Sequence, residues 1–244
     1  MEQHYLYLIV IILFSVIQSV FGMGLLVFGT PTLLLLGYDF SSVLGLLLPA
    51  SVLVSFTQVL SARSLPFSRA EKSNMVICGI AVLIALSFVL SAGFKFNIDL
   101  IVGLLLLFSA ITRLSPAFRT AISNQLVKHQ QKYVILMGLV HGLTNMGGAV
   151  LALYASSTQT EKIGVRSTVS RYYLLFGLIQ LATLALLRPA ALSIEGLIAA
   201  PVALFIYWAV GNLLFRRASA PLYERLLTGF IAIYGLVVLT KGYI

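Results

Sequence analysis

Acidic side chains are scarce in this chain. Seven occur among 244 residues, Glu2, Asp39, Glu71, Asp99, Glu161, Glu195 and Glu224, and each falls at or near the end of an apolar run. No carboxylate sits inside a run as the usual intramembrane proton or sodium relay, and no carboxylate pair offers acid–base chemistry. Cysteine is scarcer still: Cys78 is the only one, which excludes an intrachain disulfide and a multi-cysteine metal site and leaves a small packing residue as the expected role. The histidines, His4, His129 and His141, are spread over a terminus, a link and an apolar run, so they do not converge on a metal or a nucleophile. The expectation is a protein without cofactor, metal or catalytic centre.

What the chain has in abundance is apolar surface. Sixty per cent of its residues are hydrophobic, 9% are charged, and the mean hydropathy is +1.04, more than a water-soluble core of this size could hide. The reading is an all-α polytopic membrane protein, since bundled helices satisfy their own backbone in lipid and no alternating strand pattern is present. Apolar runs fall at about 5–36, 42–61, 75–92, 96–112, 133–155, 168–187, 194–215 and 225–243. The first follows Glu2 without a basic region or a convincing cleavage site, so it is expected to remain in the mature protein.

The formal net charge of +9 does not point to nucleic acid, because the bases lie in short links rather than on a tail or an amphipathic face. Four links hold 13 of the 16 Lys and Arg: Arg63, Arg69 and Lys72; Arg113, Arg119, Lys128 and Lys132; Lys162, Arg166 and Arg171; Arg216, Arg217 and Arg225. Only Lys95, Arg188 and Lys241 lie elsewhere. The positive-inside rule puts the four basic links in the cytoplasm.

That rule also counts crossings. The second and third basic links flank run 133–155, so both its ends lie on one side, yet two full crossings need roughly 40 residues. The run is expected to enter, turn at Asn145 to Gly148 and return. Run 5–36 has no Lys or Arg at either end and is also too short for two crossings, so it is expected to turn at Gly22 to Gly24 from the other side. Each half then holds one glycine-broken hairpin and three crossings, which makes two inverted repeats. The expected organisation is one transmembrane domain, 1–244, with a first repeat 1–115, a cytoplasmic joint 116–132 and a second repeat 133–244. A shift of 123 residues superposes Met23 and Gly24 on Met146 and Gly147. Two long kinked helices remain the alternative.

Opposed hairpins would bring their tips together at the bilayer midplane, where broken backbone is tolerated only when buried or lining a cavity. The returning half-helices, beginning near Leu25 and Ala149, would aim N–H groups and positive dipole ends at that point, which suits an anion. Candidate binding residues are Gly22, Gly24, Gly147 and Gly148 at the tips, with Thr144 and Asn145 as side-chain donors. The alternative for the glycines is close helix packing. His141 lies one turn before Asn145, and Gln18 takes the matching place under the shift; a hydrogen-bonded packing role is the alternative for His141. Arg171 could draw anions from the cytoplasm or snorkel to the interface, and Thr30 is a weaker candidate. Tyr172, Tyr173, Tyr207 and Trp208 read as interface or packing aromatics.

The stretches FGMGLLVFGTPTLLLLG (Phe21–Gly37) and HGLTNMGGAVLALY (His141–Tyr154) resemble the glycine-broken first segments of the two halves of the TauE/SafE family of sulfite and organosulfonate exporters. The resemblance extends over nearly the full length, with Met23 between Gly22 and Gly24, and the lack of a counterpart to Pro31 after Gly148, as departures. It implies export of a small oxyanion by alternating access in a bacterial cytoplasmic membrane. The expected partners are that anion and membrane lipids, with no nucleic acid and a homodimer left open. An intramembrane lipid-modifying enzyme and a non-transporting assembly factor are the alternatives from other classes.

Overall fold

The computed structural model describes residues 3–63, 65–92, 99–114 and 116–241. Among them every regular element is helical, as burial of backbone in lipid demands. The first half runs α1 (Gln3–Phe21), α2 (Leu25–Leu35), α3 (Phe40–Ser61), α4 (Arg69–Ala92) and α5 (Asp99–Leu114). Then come α6 (Pro116–Lys128), α7 (Gln130–Thr144), α8 (Gly148–Thr158) and α9 (Lys162–Leu187). A 3-10 turn at Pro189–Ala191 leads into α10 (Ile194–Ile206), which passes through a π-helical turn (Tyr207–Gly211) into α11 (Asn212–Arg217), and α12 (Ala220–Lys241) closes the chain. Expectations placed on Glu2, Lys95 and the side chains of His4, Asp99, Arg113, Arg119 and Lys241 lie outside what the structure describes.

Five of these segments are long and apolar enough to cross a membrane: Phe40–Ser61, Arg69–Ala92, Lys162–Leu187, Ile194–Arg217 and Ala220–Thr240. Their outward faces carry exposed aliphatic and aromatic side chains, among them Ile80 and Ile84 of α4, Leu197, Ile198 and Phe205 of α10, and Trp208. In water so much exposed apolar surface would drive association, whereas lipid accepts it. Serine and threonine hydroxyls inside the helices bond back to carbonyls one turn earlier, as Ser15 does to Ile11, Thr57 to Leu53 and Thr183 to Ile179, so they need no partner in the apolar surroundings. Between the spans the chain uses ordinary caps. Asp39 accepts from the Ser42 N–H at 3.1 Å to start α3, and Ser193 accepts from the Gly196 N–H at 3.1 Å to start α10. The stretch between the expected halves, 116–132, is mostly the helix α6, whose Ser123 Oγ donates to the Ser157 carbonyl at 3.2 Å.

Both broken runs reverse direction. A continuous helix would separate Phe14 from Phe28 by about 21 Å and Tyr133 from Tyr154 by about 31 Å. Instead the Phe14 and Phe28 rings lie 6.0 Å apart, and Tyr133 and Tyr154 stack at 6.2 Å. Gly22 makes the first reversal with φ of 81°, and Asn145 makes the second with φ of 59°, its N–H closing α7 on the His141 carbonyl at 2.7 Å. The neighbours of Gly24 and Gly147 explain the absence of side chains there. A Cβ on Gly24 would lie 2.7 Å from the Phe14 carbonyl oxygen, and one on Gly147 would lie 2.7 Å from the His141 Cβ.

The two reversals touch: Met23, between the glycines of the first, has its sulfur 3.1 Å from where a Cβ on Gly148 of the second would stand. Gly22 abuts α9, where its Cβ would stand 2.9 Å from the Arg166 carbonyl and 3.1 Å from Val169. Beyond the Met23 contact α2 lies beside α8, with Val27 also packed against Gly148.

A candidate anion site at the second chain reversal

Asn145 joins three elements. From its left-handed position at the end of α7, its Nδ2 donates to Thr30 Oγ1 of α2 at 2.8 Å, and its Oδ1 accepts from Gln180 Nε2 of α9 at 3.1 Å. All three side chains are fully buried. Thr144 is spent on the turn itself: its hydroxyl donates to the Val140 carbonyl at 2.7 Å and accepts from the Met146 N–H at 2.9 Å. Thr30 therefore belongs with Asn145, and Thr144 shapes the reversal.

Around the start of α8 the polar groups are not so well served. His141 is fully buried, stacked on Phe176 at 4.2 Å, and neither ring nitrogen makes a hydrogen bond of normal geometry, although the Gln180 amide is its polar neighbour. The Tyr173 hydroxyl is also buried without a partner, and it points at Gly148, closer than a Cβ there could approach. Gln180 Oε1 is the fourth unpaired atom. Leaving such groups unmet costs about 1–3 kcal/mol each, and native proteins rarely do so without a ligand or water to fill the gap. The N-terminus of α8 lies against the Tyr173 hydroxyl: Gly147 precedes it without a side-chain cap, and helix N-termini favour negative charge.

The first reversal has a different character. Gln18 caps α2 internally, its Oε1 accepting from the Leu25 N–H at 3.2 Å while its Nε2 donates to the Ser51 carbonyl and to Ser51 and Ser55 Oγ. Gln58 ties down the end of α1 through the carbonyls of Gln18 and Ser19. Gln18, Gly22 and Gly24 are thus held in a packing network in which the buried Gln58 Oε1 has no partner, while Met23 between the glycines reaches Gly148. Arg171 lies outside the Asn145 cluster and is itself engaged: Nη1 pairs with Glu71 at 3.1 Å, Nη1 and Nη2 donate to the Pro66 and Leu65 carbonyls, and the guanidinium lies over the Phe67 ring.

Arg171 and Glu71 border small polar cavities of about 180 and 190 Å³ at the end of the bundle that carries Lys162. These share Gln159 and Thr168, and one is also lined by Gln130 and Tyr154. Below them Asn74 Nδ2 bonds both the Gln130 Oε1 and the Tyr154 hydroxyl. Tyr154 meets Tyr172 edge-on, and Tyr172 leads by ring contact to Phe176 and so to His141. The rings of Tyr154, Tyr172 and Phe176 thus pack in series between this polar end and His141.

Tyr173 and Gln180 are absent from the candidates drawn from sequence. Tyr173 reads there as a packing aromatic, because a tyrosine in an apolar run carries no sign of whether its hydroxyl finds a partner. A usable signal was present: Arg166, Tyr173 and Gln180 recur every seven residues on α9 and so share one face. No family model, curated protein or solved structure matches this chain.

Proposed function

We propose that the protein is a membrane transporter for a small oxyanion, working by alternating access around the start of α8. The carrying observation is the set of buried polar atoms of His141, Tyr173 and Gln180 that lack a hydrogen bond of normal geometry, the Tyr173 hydroxyl lying directly against Gly148 at the start of α8. Tyr173 O–H, an imidazole N–H and the first backbone N–H groups of α8 donate, and Gln180 Oε1 accepts. Such a set suits an oxyanion that still carries one proton, as hydrogensulfite does. Tyr173 lies at the middle of α9, which matches a site near the midplane. Resemblance to the TauE/SafE family is the ground for naming sulfite and sulfonates as the class.

Alternating access needs two related halves, and the helix packing supports that reading. Exchanging α1 with α7, α2 with α8, α3 with α9, α4 with α10 and α5 with α12 turns several pairings into others that are present. The pair α4–α7 becomes α10–α1, α10–α3 becomes α4–α9, and α2–α3 becomes α8–α9, while α3–α9, α5–α12 and α2–α8 map onto themselves. Inverted repeats rocking about α3 and α9 would open the site to each side in turn. With the basic links in the cytoplasm, the membrane potential alone favours anion export in a bacterial cytoplasmic membrane.

The test is efflux of sulfite, methanesulfonate and small carboxylates from proteoliposomes, paired with thermal stabilisation of the purified protein by the same anions. Wild type should respond to at least one, and Asn145→Leu should abolish efflux and lower the thermal stabilisation. Tyr173→Phe should melt no lower than wild type without ligand, because it deletes an unpaired hydroxyl, yet respond less to the anion. A folded wild type that neither moves nor is stabilised by any of the panel would defeat the reading.

A further inference from the structure

Two arginines on α9 sit on phenylalanine rings, and only one has an acid. Arg171 lies over Phe67 with its guanidinium centre 4.7 Å from the ring centroid and pairs with Glu71. Arg166 lies over Phe215 at 3.4 Å, is only 9% exposed, and pairs with no carboxylate among the described residues. Its Nη1 donates to the Ser19 carbonyl at 3.2 Å and reaches Asn212 Oδ1 at 3.5 Å. Nε and Nη2 donate to no described residue, which leaves one edge of the guanidinium fork open. One turn earlier Lys162 adds a second cation at the same ring, 4.9 Å from its centroid, its Nζ bonded to the Phe215 and Ala218 carbonyls.

Two like charges at this spacing on a helix repel, and a buried guanidinium without a counter-ion is strongly disfavoured. The ring and carbonyls soften that penalty without supplying negative charge. Arg171 shows what is missing, a carboxylate accepting from the fork. We infer that Arg166, with Lys162 behind it, forms a second oxyanion site, filled by a small soluble anion with two oxygens to offer. It lies roughly 10 Å along α9 from Tyr173, toward the basic end. The site rests on the reading that the protein handles an oxyanion, and makes Arg166 the station an anion occupies before or after the Asn145 cluster. A guanidinium edge matches the oxygens of sulfite or a sulfonate bidentately, whereas a halide or a lysine cannot use that geometry.

Calorimetric titration of the full-length, detergent-purified protein with sulfite and with bromide tests this. Wild type should bind sulfite at two sites. Arg166→Met should lose one of them, and Arg166→Lys, which keeps the charge, should weaken that site for sulfite by about tenfold while leaving bromide unchanged. Asn145→Leu should keep the Arg166 site. The unliganded melting temperature of Arg166→Lys serves as the fold check, and that variant alone carries the test should Arg166→Met not fold. Sulfite binding at wild-type strength in both Arg166 variants overturns the inference and leaves the Asn145 site standing. So does an Arg166-dependent response that appears only with phosphatidylglycerol, since the occupant would then be a lipid headgroup. Loss of all sulfite binding in the Arg166 variants, with none in Asn145→Leu, would support the inference and defeat the central site instead.

Discussion

Asn145 carries two burdens that substitutions can separate. It is the only described non-glycine residue with positive φ, and its amide ties α2 to α9. Alanine would bear the left-handed penalty and forfeit both hydrogen bonds, a loss of roughly 2–3 kcal/mol. Glycine removes the backbone penalty and forfeits only the bonds. Asn145→Gly should therefore melt above Asn145→Ala, while both lose stabilisation by the anion to the same degree. Melting curves with and without sulfite check both halves of the statement.

Asp39 makes a pH-dependent contribution outside the spans. Partial burial acts to raise its carboxyl, but hydrogen bonds from the Ser42 side chain and from the Ser42 and Ser41 backbone outweigh it, so the group titrates below its ordinary 3.8. A folded value below the unfolded one means that the stabilisation is present above pH 3.8 and is lost as pH falls through the folded value. Asp39→Ala should be less stable than wild type by about 1 kcal/mol at neutral pH, and the gap in melting temperature should close in stronger acid.

Among elements, α7 packs backbone-close on α4. Gly138 and Gly142 lie one turn apart, and a Cβ on either would stand 2.5 Å from the Cys78 carbonyl or 2.6 Å from the Val82 carbonyl, with Ala81 and Ala85 completing the small-residue contact. Backbone cannot yield as a side chain can. Gly142→Ala should destabilise by about 1–3 kcal/mol. Gly229 of α12 has nothing within 4 Å of such a Cβ, and there the same substitution should stabilise by about 0.5–1 kcal/mol through helix propensity alone. Thermal melts of the two variants should move in opposite directions.

The same elements mark what sequence could and could not convey. The reversals at Gly22 and Asn145 were legible because charge on the flanks and run length constrain the path independently of side-chain contacts. The helix α6 was not, because its polar composition has no periodic apolar stripe. Among site residues, Asn145 and Thr30 were found because polar groups within an apolar run stand out. Arg166 was counted as a flank charge, and only three-dimensional packing reveals that its acid is missing.

At the scale of the whole molecule the reading depends on which ends of helices share a side of the membrane. Gln130 at the start of α7 and Gln159 at the end of α8 line one cavity together with Glu71 and Thr168. Arg188, at the far end of α9, donates instead to the Leu90 carbonyl near the far end of α4, next to the exposed Ala190. Replacing the buried Cys78 by alanine gives a background in which single cysteines at these positions report their side. Gln130→Cys and Gln159→Cys should both react with an impermeant maleimide from the cytoplasmic face, and Ala190→Cys only from the other. Labelling of Gln130→Cys and Gln159→Cys from opposite faces would turn the second reversal into a crossing, and both the inverted repeat and the midplane position of Asn145 would fall with it. Agreement would fix the basic end of the bundle in the cytoplasm, so that on the proposed transport reading an anion at Arg166 would stand on the inner side of Tyr173 and export would carry it past Asn145 toward the positive exterior.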